Sequence, residues 1–122
     1  MKTVKEFARI AVNALEDKKA EDIHIIDISE ISTIADYFII ANGTNKSQIQ
    51  TLADHIEETL GKAGLPLKQI EGYQTANWVL MDYRDIIVHI FDKENRLFYD
   101  LDRIWRDGKV VGKESLTEDP TE

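Results

Sequence analysis

Trp78-Val79-Leu80-Met81-Asp82-Tyr83-Arg84-Asp85-Ile86-Ile87-Val88-His89-Ile90-Phe91 is the stretch whose reading decides the fold. Two apolar runs of strand length flank a polar turn bounded by Asp82 and Asp85, which is the pattern of a β-hairpin. Alternation is weak in both runs, so each face of the hairpin has apolar side chains to bury. A hairpin of that kind belongs inside a sheet with cover on both sides. Two readings of it follow: the hairpin is simply the centre of the core, or part of its apolar surface, Trp78 above all, is kept for a partner.

Upstream of the hairpin, a polar bend from Gly72 to Asn77 follows a short strand around Leu67 to Glu71. Before it, Ile49, Leu52, Ala53, Ile56 and Leu60 recur at helical spacing, the strongest helix signal in the chain. Asn45 with Gln48, or Thr44, caps its start; Gly61 and Gly64 close it, and Pro66 prevents its return. Asp36-Tyr37-Phe38-Ile39-Ile40-Ala41 is a nearly all-apolar strand placed centrally, and Asp22 to Ile28 is a β-branched strand before it. Residues Thr3-Val4-Lys5-Glu6 form a capping box that opens a first amphipathic helix of about four turns, with Lys18 and Lys19 in its last turn. Downstream, Asp92 caps a third helix to about Arg106, with Leu97, Phe98, Leu101, Ile104 and Trp105 as its buried stripe. The order α-β-β-α-β-β-β-α predicts one α/β domain over residues 1–106, with a mixed sheet of about five strands and three helices. Residues 107–122, charged or small, read as a mobile tail.

With 122 residues the chain is long enough to bury a core without staples. It has no cysteine, which excludes a disulfide framework and thiolate chemistry. The N-terminus has neither the apolar core of a signal peptide nor the composition of a transit peptide, and no apolar run nears the roughly 20 residues that cross a bilayer. These features predict a soluble cytoplasmic protein with no membrane partner. A formal charge of −8 opposes a counterion-releasing footprint on nucleic acid and suits a basic protein surface.

Asn42-Gly43-Thr44 ahead of a helix could cradle an anion, but one glycine is far from a phosphate fingerprint, and a turn with an N-cap is the commoner explanation. His24, His55 and His89 have no metal-ligand spacing. His89, inside an apolar strand, reads as a satisfied core residue. Asp100 and Asp102 point about 200° apart on a helix and cannot share one ion. Asp82 and Asp85 suit the hairpin turn itself. The sequence therefore predicts no catalytic residue, no metal and no cofactor.

Taken in order, Asp36-Tyr37-Phe38-Ile39-Ile40-Ala41-Asn42-Gly43, Ser47-Gln48, Glu71-Gly72, Trp78 to Tyr83, Asp85 to Phe91, Arg96, Phe98-Tyr99, Leu101 and Ile104-Trp105 resemble the ribosomal silencing factor (Iojap) family over roughly Phe7 to Trp105. The resemblance implies a nucleotidyltransferase-like α/β fold without the catalytic carboxylates, and a binding protein rather than an enzyme. It implies a translational repressor that binds a large-subunit ribosomal protein (the fourteenth, uL14 type) at the intersubunit face and blocks joining of the small subunit. The free form of such proteins is often dimeric, so a homodimer is a second expected partner. The alternative is a nucleotide-binding or nucleotidyltransferase-type enzyme. One departure stands out: Arg84 occupies a position where the family usually has glycine, and a positive φ there would cost arginine what glycine is spared.

The contact site follows from counting cover. Helices pack about 10 Å apart and strands about 4.8 Å apart, so three helices cover about six strand-widths of the ten that two faces of five strands offer. Trp78 and Leu80 point one way, Val79, Met81 and Tyr83 the other. Trp78 and Leu80, rimmed by Asp82 and Asp85 and with Tyr83 at the end of the same strand, are the predicted partner-binding residues.

Overall fold

The computed structural model describes residues 2–99 and 108–116, and of residues 97–99 the backbone alone. Helix α1 spans Val4–Asp17, strand β1 Glu21–Asp27, β2 Tyr37–Asn42, α2 Lys46–Ala63 and β3 Gln69–Glu71. Strand β4 is Trp78–Asp82, β5 Ile86–Phe91, α3 Lys93–Tyr99 and β6 Lys109–Val111, followed by a 3-10 turn at Lys113–Leu116.

The helix ends lie where side chains can meet the first unpaired amides. Thr3 Oγ1 accepts from Glu6 N–H at 3.2 Å and starts α1. Asn45 Oδ1 accepts from Gln48 N–H at 2.8 Å and starts α2. Gln48 in turn reaches back to the amide and hydroxyl of Thr44 rather than to Asn45. Gly64 ends α2 in the left-handed conformation at φ 103°, which an L side chain would resist. Lys18 and Lys19, expected in the last turn of α1, lie at and just beyond its C-cap.

The strands form a six-stranded mixed sheet in the order β3-β4-β5-β2-β1-β6. β2 and β5 are parallel neighbours at its centre, and each is buried along its whole length. The other pairings are antiparallel. β4 and β5 make the expected hairpin, in register Trp78 with Phe91, Leu80 with His89 and Asp82 with Ile87. A sixth strand stands where about five were expected, and it draws residues 109–111, read from the sequence as part of a tail from residue 107, into the sheet. β6 pairs with β1, and Leu116 is buried against the helix-side core. A three-residue strand is too short to show periodicity, and its flanking glycines read as breakers. Gly108 is instead needed for close approach: a Cβ there would stand 2.7 Å from Ile26 Cγ2.

Side chains alternate across the sheet as pleating requires. Ile25, Tyr37, Ile39, Ala41, Val79, Met81, Val88 and Ile90 pack beneath the apolar stripes of α1 and α2. Ile26, Ile28, Phe38, Ile40, Ile87 and Phe91 form a smaller cluster on the opposite face, with Trp78 and Leu80 partly buried against it. Asp92 Oδ1 accepts from Asn95 N–H at 2.8 Å, capping α3 as expected. Arg96, 5% exposed, ties that helix to the sheet by donating to Asn42 Oδ1 at 2.9 Å and to the Asp22 carbonyl at 3.1 Å. The continuation of α3 to Arg106 and its stripe of Leu97, Phe98, Leu101, Ile104 and Trp105 lie outside what is described, as do Asp100 and Asp102.

Candidate functional site: the aromatic face of the sheet

β4 carries Trp78, Leu80 and Asp82 on the sheet face opposite α1 and α2, and β5 carries Ile87, His89 and Phe91 beside them. The indole of Trp78 stacks on Phe91, its cross-strand partner, with ring centroids 5.1 Å apart and planes 24° from parallel. Its Nε1–H donates to His89 Nδ1 at 3.0 Å. The imidazole meets Phe38 edge to face at 4.9 Å. An aromatic patch four rings wide thus runs from β4 to β2. Trp78 and Leu80 are its half-buried members, whereas His89 is 3% exposed.

His89 is therefore a core residue, as its position in an apolar strand suggests, but it is only half satisfied. An indole N–H can only donate, so Nδ1 must offer a lone pair and the proton sits on Nε2. Nε2 is buried and has no hydrogen-bond partner among the described residues. Burial pushes the imidazole down to about 4, so it is neutral at physiological pH.

The hairpin turn forms the polar end of this patch. Arg84 N–H donates to Asp82 Oδ1 at 2.8 Å, and Tyr83 N–H to the Ile86 carbonyl at 2.9 Å. Arg84 has φ 74°, the left-handed backbone that its place in a usual glycine position raised as a concern. The Asp85 carbonyl accepts from the amides of Asp36 and Tyr37, which locks the turn to the start of β2. Asp36 has its carboxyl raised above the usual range, first by burial and then by the negative charges of Asp85 and Asp27. This end of the sheet therefore concentrates negative charge that a cation would relieve. Asp82 and Asp85 also line a shallow cleft of about 410 Å³ with Ile34, Lys68, Arg84 and Ile87.

Of the residues expected in the site, Trp78, Leu80 and Asp82 share one face, and Asp85 adjoins them at the turn. Tyr83 is placed differently: it is 2% exposed, belongs to the helix-covered cluster, and its buried hydroxyl has no hydrogen-bond partner among the described residues. Burial raises the phenol well above its ordinary range. Sequence reasoning missed Ile34, a 63% exposed isoleucine beside the turn, and the bond from Trp78 to His89. The hairpin register holds the signal for the latter, since His89 is diagonal to Trp78 on the same face.

At the start of α2, the Gly43 and Thr44 amides of the turn that could have cradled an anion are already engaged, as is that of Gln48. Gly43 N–H donates to the Phe91 carbonyl, Thr44 N–H to Gln48, and Gln48 N–H to Asn45. Among the described residues no group of three or more His, Cys, Asp or Glu is arranged to hold a metal ion. No helix among them is long and apolar enough to cross a membrane.

A mixed sheet shielded by two helices on one face, and bearing an aromatic patch with an acidic end on the other, defines a mixed α/β domain. The chain belongs to the ribosomal silencing factor family: the family described as "Ribosomal silencing factor during starvation" matches residues 1–122. It is 39% identical to the ribosomal silencing factor of Halalkalibacterium halodurans over 111 residues, covering 91% of this chain and 95% of that one. With the ribosomal silencing factor of Bacillus subtilis it shares 41% identity over 107 residues, covering 88% and 91%. The crystal structure of a Chromobacterium violaceum protein superposes with a TM-score of 0.84 at 31% identity, covering 91% of this chain and 92% of that one.

Proposed function

We propose that this chain represses translation by binding the large ribosomal subunit through the fourteenth large-subunit ribosomal protein, so that the small subunit cannot join. The observation that carries the reading is the half-buried pair Trp78 and Leu80, set on the sheet face that α1 and α2 leave uncovered, beside Asp82 and Asp85. An aromatic anchor with an aliphatic neighbour is the usual centre of a protein interface, and an acidic rim suits the basic surface of a ribosomal protein. The chain's charge of −8 steers it the same way. Family membership supports the ribosomal part of the reading, and the engaged Gly43 and Thr44 amides weigh against the rival nucleotide-binding enzyme.

The test is sedimentation. Purified protein should travel with free large subunits and not with assembled ribosomes. Adding it before small subunits should reduce joining, and adding it afterwards should do little. Leu80→Ala should fold, because its side chain is only partly buried, yet lose tenfold or more in large-subunit binding, about 1.4 kcal/mol. Co-sedimentation mainly with small subunits would sink the assignment. A saturable thermal shift with nucleoside triphosphate and Mg²⁺ would favour the enzyme instead.

A further inference from the structure

Trp78 carries the only polar atom of the proposed anchor pair, and the structure shows where that atom goes. Nε1–H donates to His89 Nδ1 at 3.0 Å, across the diagonal of the β4–β5 ladder. Phe91 fixes the plane of the indole by stacking on it, and Phe38 holds the imidazole edge-on from β2. Stacking alone lets a ring slide or turn over; a directed bond from one edge does not. The arrangement is also costly in a telling way. A phenylalanine or leucine at 89 would suit the buried, apolar β5, whereas histidine leaves Nε2 buried without a partner among the described residues. What histidine adds that those residues cannot is the acceptor for Trp78.

Building on the proposed contact site, we infer that His89 is a positioning residue: its neutral Nδ1 takes the indole N–H, so that Trp78 is presented to the partner as a carbon-only anchor in one fixed orientation. The complementary pocket on the ribosomal protein is then apolar and needs no acceptor for the indole. Binding draws on a ring already oriented before encounter, which spares the ordering cost of a side chain that must first be immobilised.

Nitrogen NMR of the free wild-type protein reads the bond directly, with Trp78→Phe assigning the indole signal against that of Trp105. His89 should show unprotonated Nδ1 and protonated Nε2, with a scalar coupling from Trp78 Nε1 to His89 Nδ1. His89→Phe keeps an apolar ring but removes the acceptor. It should move the indole N–H signal upfield and weaken large-subunit binding about tenfold. His89→Asn, whose Oδ1 stands near the place of Nδ1, should restore binding to within about threefold of wild type. Wild-type-level binding by His89→Phe would overturn the positioning role. Tighter binding would do so too, because it would mean that the partner takes the freed N–H. The opposite tautomer in the wild type would overturn the inference even if no variant folds. A wild-type chain that binds no large subunits would instead defeat the proposed function, with the bond still legible in the free protein.

Discussion

The two faces of the sheet are made from the same strands but are built differently. Beneath α1 and α2, Ile39, Val88, Ile90, Val79 and Met81 meet Leu15, Leu52, Ile56 and Leu60, all of them sealed from solvent. That face is mostly aliphatic, with Tyr37 and Tyr83 as its buried rings, and among the described residues the Tyr83 hydroxyl is the one polar side-chain atom it buries without a partner. The opposite face joins the isoleucines Ile26, Ile28, Ile40 and Ile87 to an aromatic patch of Phe38, Trp78 and Phe91 around a histidine, and its β4 edge is only half buried. Aliphatic side chains fill an interior densely and give stability. Aromatic rings with one polar handle suit a surface that must also meet a partner. The first face holds the domain together and the second bears the proposed contact site.

Truncation on either side should divide along that line. Leu52→Ala or Ile39→Ala removes a fully buried side chain and should cost about 3–4 kcal/mol of folding stability, read as a lower denaturation midpoint. Leu80→Ala, only partly buried, should cost less than half of that and show its main effect in ribosome binding. Equal stability losses at Leu52 and Leu80 would erase the distinction between the faces.

Acid should attack the aromatic face first. The ordinary histidine value near 6.5 describes His89 in the unfolded chain, and in the fold it lies at about 4. Between these values the unfolded chain binds a proton that the native one refuses. His89 therefore lowers stability as pH falls from about 6.5 to about 4, and has no further effect below that. The full difference is about 3 kcal/mol. Among the described residues, the rings that meet it, Trp78, Phe38 and Phe91, are all uncharged and offer the imidazolium no counter-ion. Denaturation of wild type against His89→Asn over this window should show wild type losing stability relative to the variant as pH falls. A parallel pair of curves would mean that His89 titrates normally.

How much of this was legible depended on the range of the signal. Helix starts at Thr3, Asn45 and Asp92 were readable because each cap bonds an amide within three residues. The facing of Trp78 and Leu80 against Val79, Met81 and Tyr83 followed from pleating alone. Tyr83 shows the limit of that logic: its parity turns it to the helix side, yet its place at the end of the hairpin put it among the contact residues. β6 was invisible because three residues carry no period, and its pairing depends on Gly108 lying against Ile26, 82 positions away in a chain the fold alone brings together. The Trp78–His89 bond needed the hairpin register, which the turn fixes and composition does not.

The smallest effect is the cleanest probe, because Arg84 lies at the hairpin tip and belongs to neither face. At φ 74° its Cβ crowds the following carbonyl, a cost of roughly 1 kcal/mol that glycine does not bear. Glycine also frees the unfolded chain, which takes back part of the gain. Arg84→Gly should therefore stabilise the protein by about 0.5–1 kcal/mol and raise the melting temperature by about 3 °C. The backbone bond from residue 84 to Asp82 survives the change, since it uses only the amide. Losing the guanidinium also removes a positive charge from between Asp82 and Asp85, so binding to a basic partner should hold or tighten. A variant that melts higher but binds large subunits tenfold more weakly would show that Arg84 itself makes the contact. The acidic end of the aromatic face would then need to be redrawn around a cation.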